Sequence, residues 1–131
     1  MGVSHARIGI QIGASTAPSD LGALAAEAER LGYGEIWLAE NYFEFGGFAS
    51  SAIALAATER IPIGLGVVAA AVRHPAVTAM EAATLAEGFG GRFMAGLGHG
   101  APGWIRQMGL EPESPMGVLR EATSTVCLLY T

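Results

Sequence analysis

The feature that most limits the folds open to this chain is a series of short apolar runs, separated by helical patterns and glycine-rich turns. Ile36-Trp37-Leu38-Ala39, Ile63-Gly64-Leu65-Gly66-Val67-Val68-Ala69-Ala70 and Phe93-Met94-Ala95-Gly96-Leu97 are apolar almost throughout. A strand with one wet face alternates. Continuous runs mark parallel strands covered on both faces by crossover helices. The chain is therefore of the α/β class. Its last run breaks into Gly96-Leu97-Gly98-His99-Gly100, where missing side chains let backbone pass close to something flat or charged. Ligands of α/β folds bind at the carboxyl ends of strands, so this strand end is the first candidate for a site.

In chain order, Arg7–Gly13 places large apolar residues at 8, 10 and 12 and reads as a first strand. Residues 14–19 read as a loop, with Ser19 or Asp20 capping the helix that follows. From Leu21 to Leu31, apolar positions 21, 24, 25, 28 and 31 share one helical face, and Glu27, Glu29 and Arg30 mark the wet side. Gly32 and Gly34 end it. A second strand covers 35–40, a second helix Phe48–Arg60, and a third strand begins after Pro62. Arg73-His74-Pro75 opens a third helix over Ala76–Glu87, with Pro75 in its first turn. Here His74 reads as a local hydrogen-bonding group. Gly88, Gly90 and Gly91 lead to a fourth strand over 92–98. A short helix near Trp104–Met108 and a helical start near Val118–Glu121 follow.

Composition narrows the partners. Of 131 residues, 51% are hydrophobic and 15% charged, which is globular and not disordered. A net charge of −5 without any basic run argues against nucleic acid. No apolar run approaches the ~18 residues of a membrane span, and no signal-peptide pattern is visible. Cys127 is the sole cysteine, so an internal disulfide is impossible and a cytoplasmic setting is the default. His5, His74 and His99 show no metal-ligand spacing. The Gly96–Gly100 segment is not a complete G-x-G-x-x-G and follows the fourth strand, so a nicotinamide fingerprint is weak.

A β-α-β-α-β-α-β series of this kind fits an open doubly wound sheet or part of a (β/α)8 TIM-type barrel. A barrel needs ~250 residues, so this chain would be about half of one. Residues decide between them only by resemblance. Glu35-Ile36-Trp37-Leu38-Ala39-Glu40-Asn41, Ile63–Val68, Arg73-His74-Pro75-Ala76-Val77 and Gly90-Gly91-Arg92-Phe93-Met94-Ala95-Gly96-Leu97-Gly98-His99-Gly100 occur in that order. Together they resemble the amino-terminal half of the luciferase-like monooxygenase superfamily. Gly98-His99-Gly100 with Trp104 and Gln107-Met108-Gly109 is most similar to its deazaflavin-dependent members.

The resemblance implies four parallel strands of a (β/α)8 barrel over 1–122 and an oxidoreductase acting on a small-molecule substrate. The implied cofactor is a deazaflavin (coenzyme F-420), with FMN as the alternative. It implies catalytic positions at Glu40 and Asn41, with cofactor contacts from Gln11, Gly66, Val67, Gly98, His99 and Gly100. Glu40 keeps an acid common at that position; Asn41 departs from the usual His. By position, Gly66-Val67 matches a non-prolyl cis peptide that supports the cofactor ring in the family. Read without the resemblance, Glu40 caps the following loop, and Gly64 and Gly66 allow close helix packing.

After Ala122 the helix-forming pattern weakens at Thr123-Ser124-Thr125. Cys127–Thr131 resembles one frame of a transposon-end tag, so 123–131 is expected to be a non-native tail on a truncated gene. Four strands leave the first and fourth as bare apolar edges, which invite pairing into a homo-oligomer. A chain of this kind that holds no cofactor is a non-catalytic half-barrel fragment that self-associates or binds a partner.

Overall fold

The computed structural model describes residues 7–130; His5 and Thr131 lie outside them. The elements are β1 (Gly9–Ile12), α1 (Pro18–Arg30), β2 (Glu35–Leu38), α2 (Gly47–Ala56), β3 (Ile63–Ala69), α3 (Pro75–Gly88), β4 (Phe93–Gly98), α4 (Pro102–Gln107) and α5 (Pro115–Tyr130). The strands form one parallel sheet in the order β1-β2-β3-β4. A doubly wound sheet would reverse direction at a switch point. This order never reverses, so the sheet is a half-barrel.

Register explains where the core sits. Ile36 pairs with Ile63 and Ile63 with Phe93, while Leu38 pairs with Leu65. These side chains share one face and are almost wholly buried. Leu21, Ala25 and Ala28 of α1, Ala54 and Leu55 of α2, and Ala82 and Leu85 of α3 join them in a single cluster. Burying each Leu or Ile there contributes about 1.5–3 kcal/mol. The intervening row runs Gln11, Trp37, Gly64, Met94 across the other face. The strands are therefore helix-covered on one side, and the second apolar face lines the axis of the half-barrel. The Trp37 indole lies over β3, where a Cβ on Gly64 would come within 2.5 Å of it. The tight packing at Gly64 and Gly66 is thus against a neighbouring strand's indole, not against a helix.

Three helix boundaries differ from the sequence reading. α1 starts at Pro18, with Ala17 at the N-cap and no side-chain cap; Ser19 and Asp20 fall inside the first turn. Proline at that position has no N–H needing a partner, so a side-chain cap matters less. α2 ends at Ala56 and not at Arg60. Its released carbonyls are taken by distant groups. Arg92 donates to Leu55 O, Thr58 O, Ile61 O and Thr58 Oγ1, each at 3.0 Å. Glu29 accepts from the backbone N–H groups of Glu59, Arg60 and Ile61. Lastly, α5 runs through Tyr130, well past the expected helical start. Ala122 and Val126 are buried along it, and Thr123 Oγ1 donates back to Leu119 O at 2.8 Å. Packing against α3 outweighs the modest propensity of these residues.

Candidate functional site

The carboxyl ends of β2, β3 and β4 surround a concavity of about 310 Å³. Glu40, Asn41 and Tyr42 enter it from the segment after β2, and Gly66, Val67 and Ala69 from β3. Gly98, His99, Gly100 and Trp104 close it from β4 and α4. Seven of the eight expected site positions therefore converge. Gln11 does not line this concavity; it is exposed on the axial face of β1, paired in register with Trp37.

The wall on β3 is irregular. The ladder with β4 shifts register between Leu65 and Val68, and the Gly66–Val67 peptide is cis. The extra residue turns Val67 outward, where it is 43% exposed. β4 accommodates it through its glycines. A Cβ on Gly98 would lie 2.6 Å from Val67 Cγ2, and one on Gly96 would lie 2.8 Å from Leu65 O. Part of the space those glycines provide is thus filled by Val67. Gly100 has φ +78 and a Cβ there would meet Ala69 and Ile105, so both conformation and packing require glycine. His99 is exposed, with Nδ1 2.8 Å from the Gly100 carbonyl. A carbonyl only accepts, so in this contact Nδ1 is the donor.

The polar groups are concentrated at the end of β2. The Glu40 side chain is only 5% exposed. Its Oε2 accepts from Gly47 N at 2.8 Å, which caps the first turn of α2. The capping reading of Glu40 therefore holds for one oxygen. The other, Oε1, is buried without a hydrogen-bond partner. Such an orphan is expensive in a structural carboxylate and common in a functional one. Arg73 approaches Oε2 at 3.8 Å, pairs with Glu81 of α3 and lies over the Phe48 ring at 4.9 Å. Asn41 turns away, donating from Nδ2 to Glu44 Oε2 at 3.0 Å. His74 accepts from Ala76 N and caps α3, the local role its position suggested.

Tyr42 was not singled out from sequence, because nothing marks a lone tyrosine as a site residue. Its hydroxyl accepts from Ala69 N at 3.3 Å, and its ring meets Trp104 edge-on at 6.3 Å. Burial pushes its phenol up from the ordinary value, the Ala69 N–H opposes this, and the Glu40 carboxylate beside it adds to the rise. A separate groove of about 260 Å³ among Pro102, Ile105, Pro112, Pro115 and Met116 shares His99 with the concavity. Glu111 is the charged residue of that groove, and Arg106 donates to both of its carboxylate oxygens, at 2.8 and 3.0 Å.

Known proteins are similar to this chain in sequence and fold. The luciferase-like monooxygenase family model matches residues 2–130. The chain is 28% identical over 99 residues to 5,10-methylenetetrahydromethanopterin reductase of Methanolobus tindarius, covering 76% of this chain and 30% of that protein. It is 32% identical over 114 residues to 4-hydroxyprotoasukamycin monooxygenase of Streptomyces nodosus subsp. asukaensis, covering 82% and 31%. The coenzyme F-420 dependent tetrahydromethanopterin reductase of Methanopyrus kandleri superposes with a TM-score of 0.79 at 27% identity, over 89% of this chain and 38% of that one. The oxygenating constituent of 3,6-diketocamphane monooxygenase from Pseudomonas putida, in complex with FMN, superposes at 0.81 over 92% and 38%. At 18% identity, that last likeness shows the fold alone. The chain spans about a third of the length of the curated relatives it matches. The family model covers nearly the whole chain and the fold agrees with it: the chain belongs to the luciferase-like monooxygenase family.

Proposed function

We propose that this chain is the amino-terminal half of a flavin- or deazaflavin-dependent oxidoreductase that moves a hydride to or from a small organic substrate. The observation that carries the reading is the orphaned, buried Oε1 of Glu40 beside a concavity walled by the Gly66–Val67 bulge and Gly98–Gly100. An isoalloxazine-type ring, when bound, supplies the hydride chemistry, and the protein supplies binding, orientation and electrostatics. The backbone of Gly66 and Val67 offers a flat support, and Gly98, His99 and Gly100 border the opposite side. Glu40 accepts a hydrogen bond or holds a proton next to the reacting centre. Asn41, held by Glu44, positions the loop rather than donating a proton. Gln11 belongs to the axial face below the ring. Deazaflavin is the favoured cofactor, on the Gly98-His99-Gly100 pattern with Trp104 and on the likeness to a coenzyme F-420 dependent reductase. FMN is the alternative, on the likeness to an FMN-bound monooxygenase fold.

Half a barrel leaves the outer edges of β1 and β4 open, so this chain pairs with further barrel strands or with a second copy. Among the described residues no helix is long and apolar enough to cross a membrane. Fluorescence titration of the folded chain with deazaflavin and, separately, with FMN tests the reading. Saturable binding of either is the expected result. A folded sample that binds neither leaves the non-catalytic, self-associating fragment as the function of this chain, which sedimentation analysis would then display as oligomers.

A further inference from the structure

The buried Glu40 Oε1 poses a geometric problem. It is buried without a hydrogen-bond partner, although Glu40 contributes to the wall of the concavity. Tyr42 lines the same wall as Glu40, and its hydroxyl lies beside the Glu40 carboxylate. The hydroxyl oxygen is held from the β3 side by the Ala69 N–H, which occupies one of its two lone pairs. Its own proton then needs an acceptor. Among the groups beside it, the Glu40 carboxylate is the one with an oxygen to spare.

The geometry points to Tyr42 as a relay: its hydroxyl donates to Glu40 Oε1 and presents its remaining lone pair to a ligand N–H or O–H in the concavity. Two strand ends and α4 then fix one tyrosine. Glu40, after β2, takes its proton; Ala69, on β3, fixes its oxygen; Trp104, on α4, sets the ring edge-on. The carboxylate is in turn fixed by Gly47 N and by Arg73, which Glu81 and Phe48 hold in place. If the ligand gives up a proton, it passes to the Tyr42 oxygen while the Tyr42 proton moves to Glu40 Oε1. The phenol is regenerated, the carboxylate becomes a neutral acid, and no electrons change hands. The site therefore selects ligands with a hydrogen-bond donor at that point, and Glu40 acts on them through Tyr42. This rests on the oxidoreductase reading for its ligand, but not for the Tyr42–Glu40 bond itself.

The charged or titratable groups facing Tyr42 are Glu40 from β2, Arg73 from the β3–α3 connection and His99 from β4. Two measurements on the full chain separate the claims. In the first, tyrosine Cζ is labelled with carbon-13 and titrated by NMR, with the Tyr42 signal assigned from Tyr42→Phe. Tyr42 should ionise above an ordinary phenol, and Glu40→Gln should lower its midpoint. An unchanged midpoint overturns the relay. This test needs no cofactor, so it decides the inference even if the chain binds neither FMN nor deazaflavin, which would sink only the proposed function. In the second, the same cofactors are titrated into the parent, Tyr42→Phe, Glu40→Gln and the double variant. One hydrogen bond of this kind is worth about tenfold in affinity for Tyr42→Phe. The double variant should bind no more weakly than the weaker single one, because the two groups act in series. Additive losses overturn the relay while leaving cofactor binding intact. Should Tyr42→Phe fail to fold, the Tyr42 signal is assigned by elimination with Tyr33→Phe and Tyr130→Phe, and the first measurement alone decides.

Discussion

Replacing Arg92 should cost far more than its position in a turn before β4 suggests. Its guanidinium donates four hydrogen bonds of 3.0 Å to the unravelled end of α2. A bond from a charged donor contributes about 1.5–3 kcal/mol, so a simple sum gives roughly 6–12 kcal/mol. That sum is too large. Arg92 is half-buried, so water replaces part of what is lost, and the guanidinium no longer has to be desolvated. Arg92→Met keeps the stem packing and should lose about 2–4 kcal/mol, a large share of the roughly 5–15 kcal/mol holding an ordinary domain together. Arg92→Lys keeps the charge but offers a compact ammonium to acceptors spread over residues 55–61, and should lose about 1–2 kcal/mol. Equilibrium urea unfolding measures both, with the Arg92→Met midpoint falling by roughly 1–2 M at an unchanged slope. Arg30 is the comparison. It makes two shorter bonds to Glu27, at 2.6 and 2.7 Å, but in full solvent, so Arg30→Met should leave the midpoint where it is. A stability for Arg92→Met within about 0.5 kcal/mol of the parent, below the range for even one such bond, would refute the reasoning. So would a lysine variant as stable as the arginine.

Gly100→Ala should destabilise by about 2–4 kcal/mol, from a left-handed backbone and a Cβ 2.6 Å from that of Ala69, whereas Gly90→Ala, at φ +63 with open space around it, should lose only about 1 kcal/mol; equal losses in thermal unfolding would remove the packing argument. Glu29 is held below its ordinary value of 4.5: burial opposes this, but the N–H groups of Arg60, Ile61 and Glu59 together outweigh it. A lowered folded value means stability present above 4.5 and lost as pH falls through the folded value, so Glu29→Gln should flatten the acid limb of stability against pH; an unaltered limb contradicts the assignment. Glu40→Gln keeps an acceptor for Gly47 N, so its unfolding free energy should fall by less than about 1 kcal/mol while cofactor affinity falls further; parallel losses would make Glu40 a helix cap only.

The existence and order of the strands and helices were legible because each is written in local pattern. Continuous apolar runs specify covered parallel strands, and glycine clusters specify the breaks between them. The motif order around Glu40, Gly66-Val67 and Gly98–Gly100 also marked which strand ends matter. Helix ends were not legible. Where α2 stops depends on Glu29 and Arg92, which lie about thirty residues away on either side and meet it only in the folded chain. The length of α5 depends on α3 packing against it, which outweighs what Thr123 and its neighbours prefer alone.

The division at the site has the same cause. Sequence singled out Glu40 as an acid at a strand end, but a carboxylate's role depends on what each oxygen touches. Tertiary structure assigned one oxygen to the α2 cap and left the other buried beside Tyr42. Tyr42 became visible only once Ala69, some thirty positions later, was seen to hold its hydroxyl. Glycines at 96 and 98 announced a close approach, yet not the partner, because a missing side chain says only that something is near. In the fold, part of that space belongs to the Val67 side chain. Sequence alone thus determined the elements, their order and which strand ends form the candidate site. Contacts between residues distant in the chain decided where each helix ends, which atoms are satisfied and which are left for a ligand.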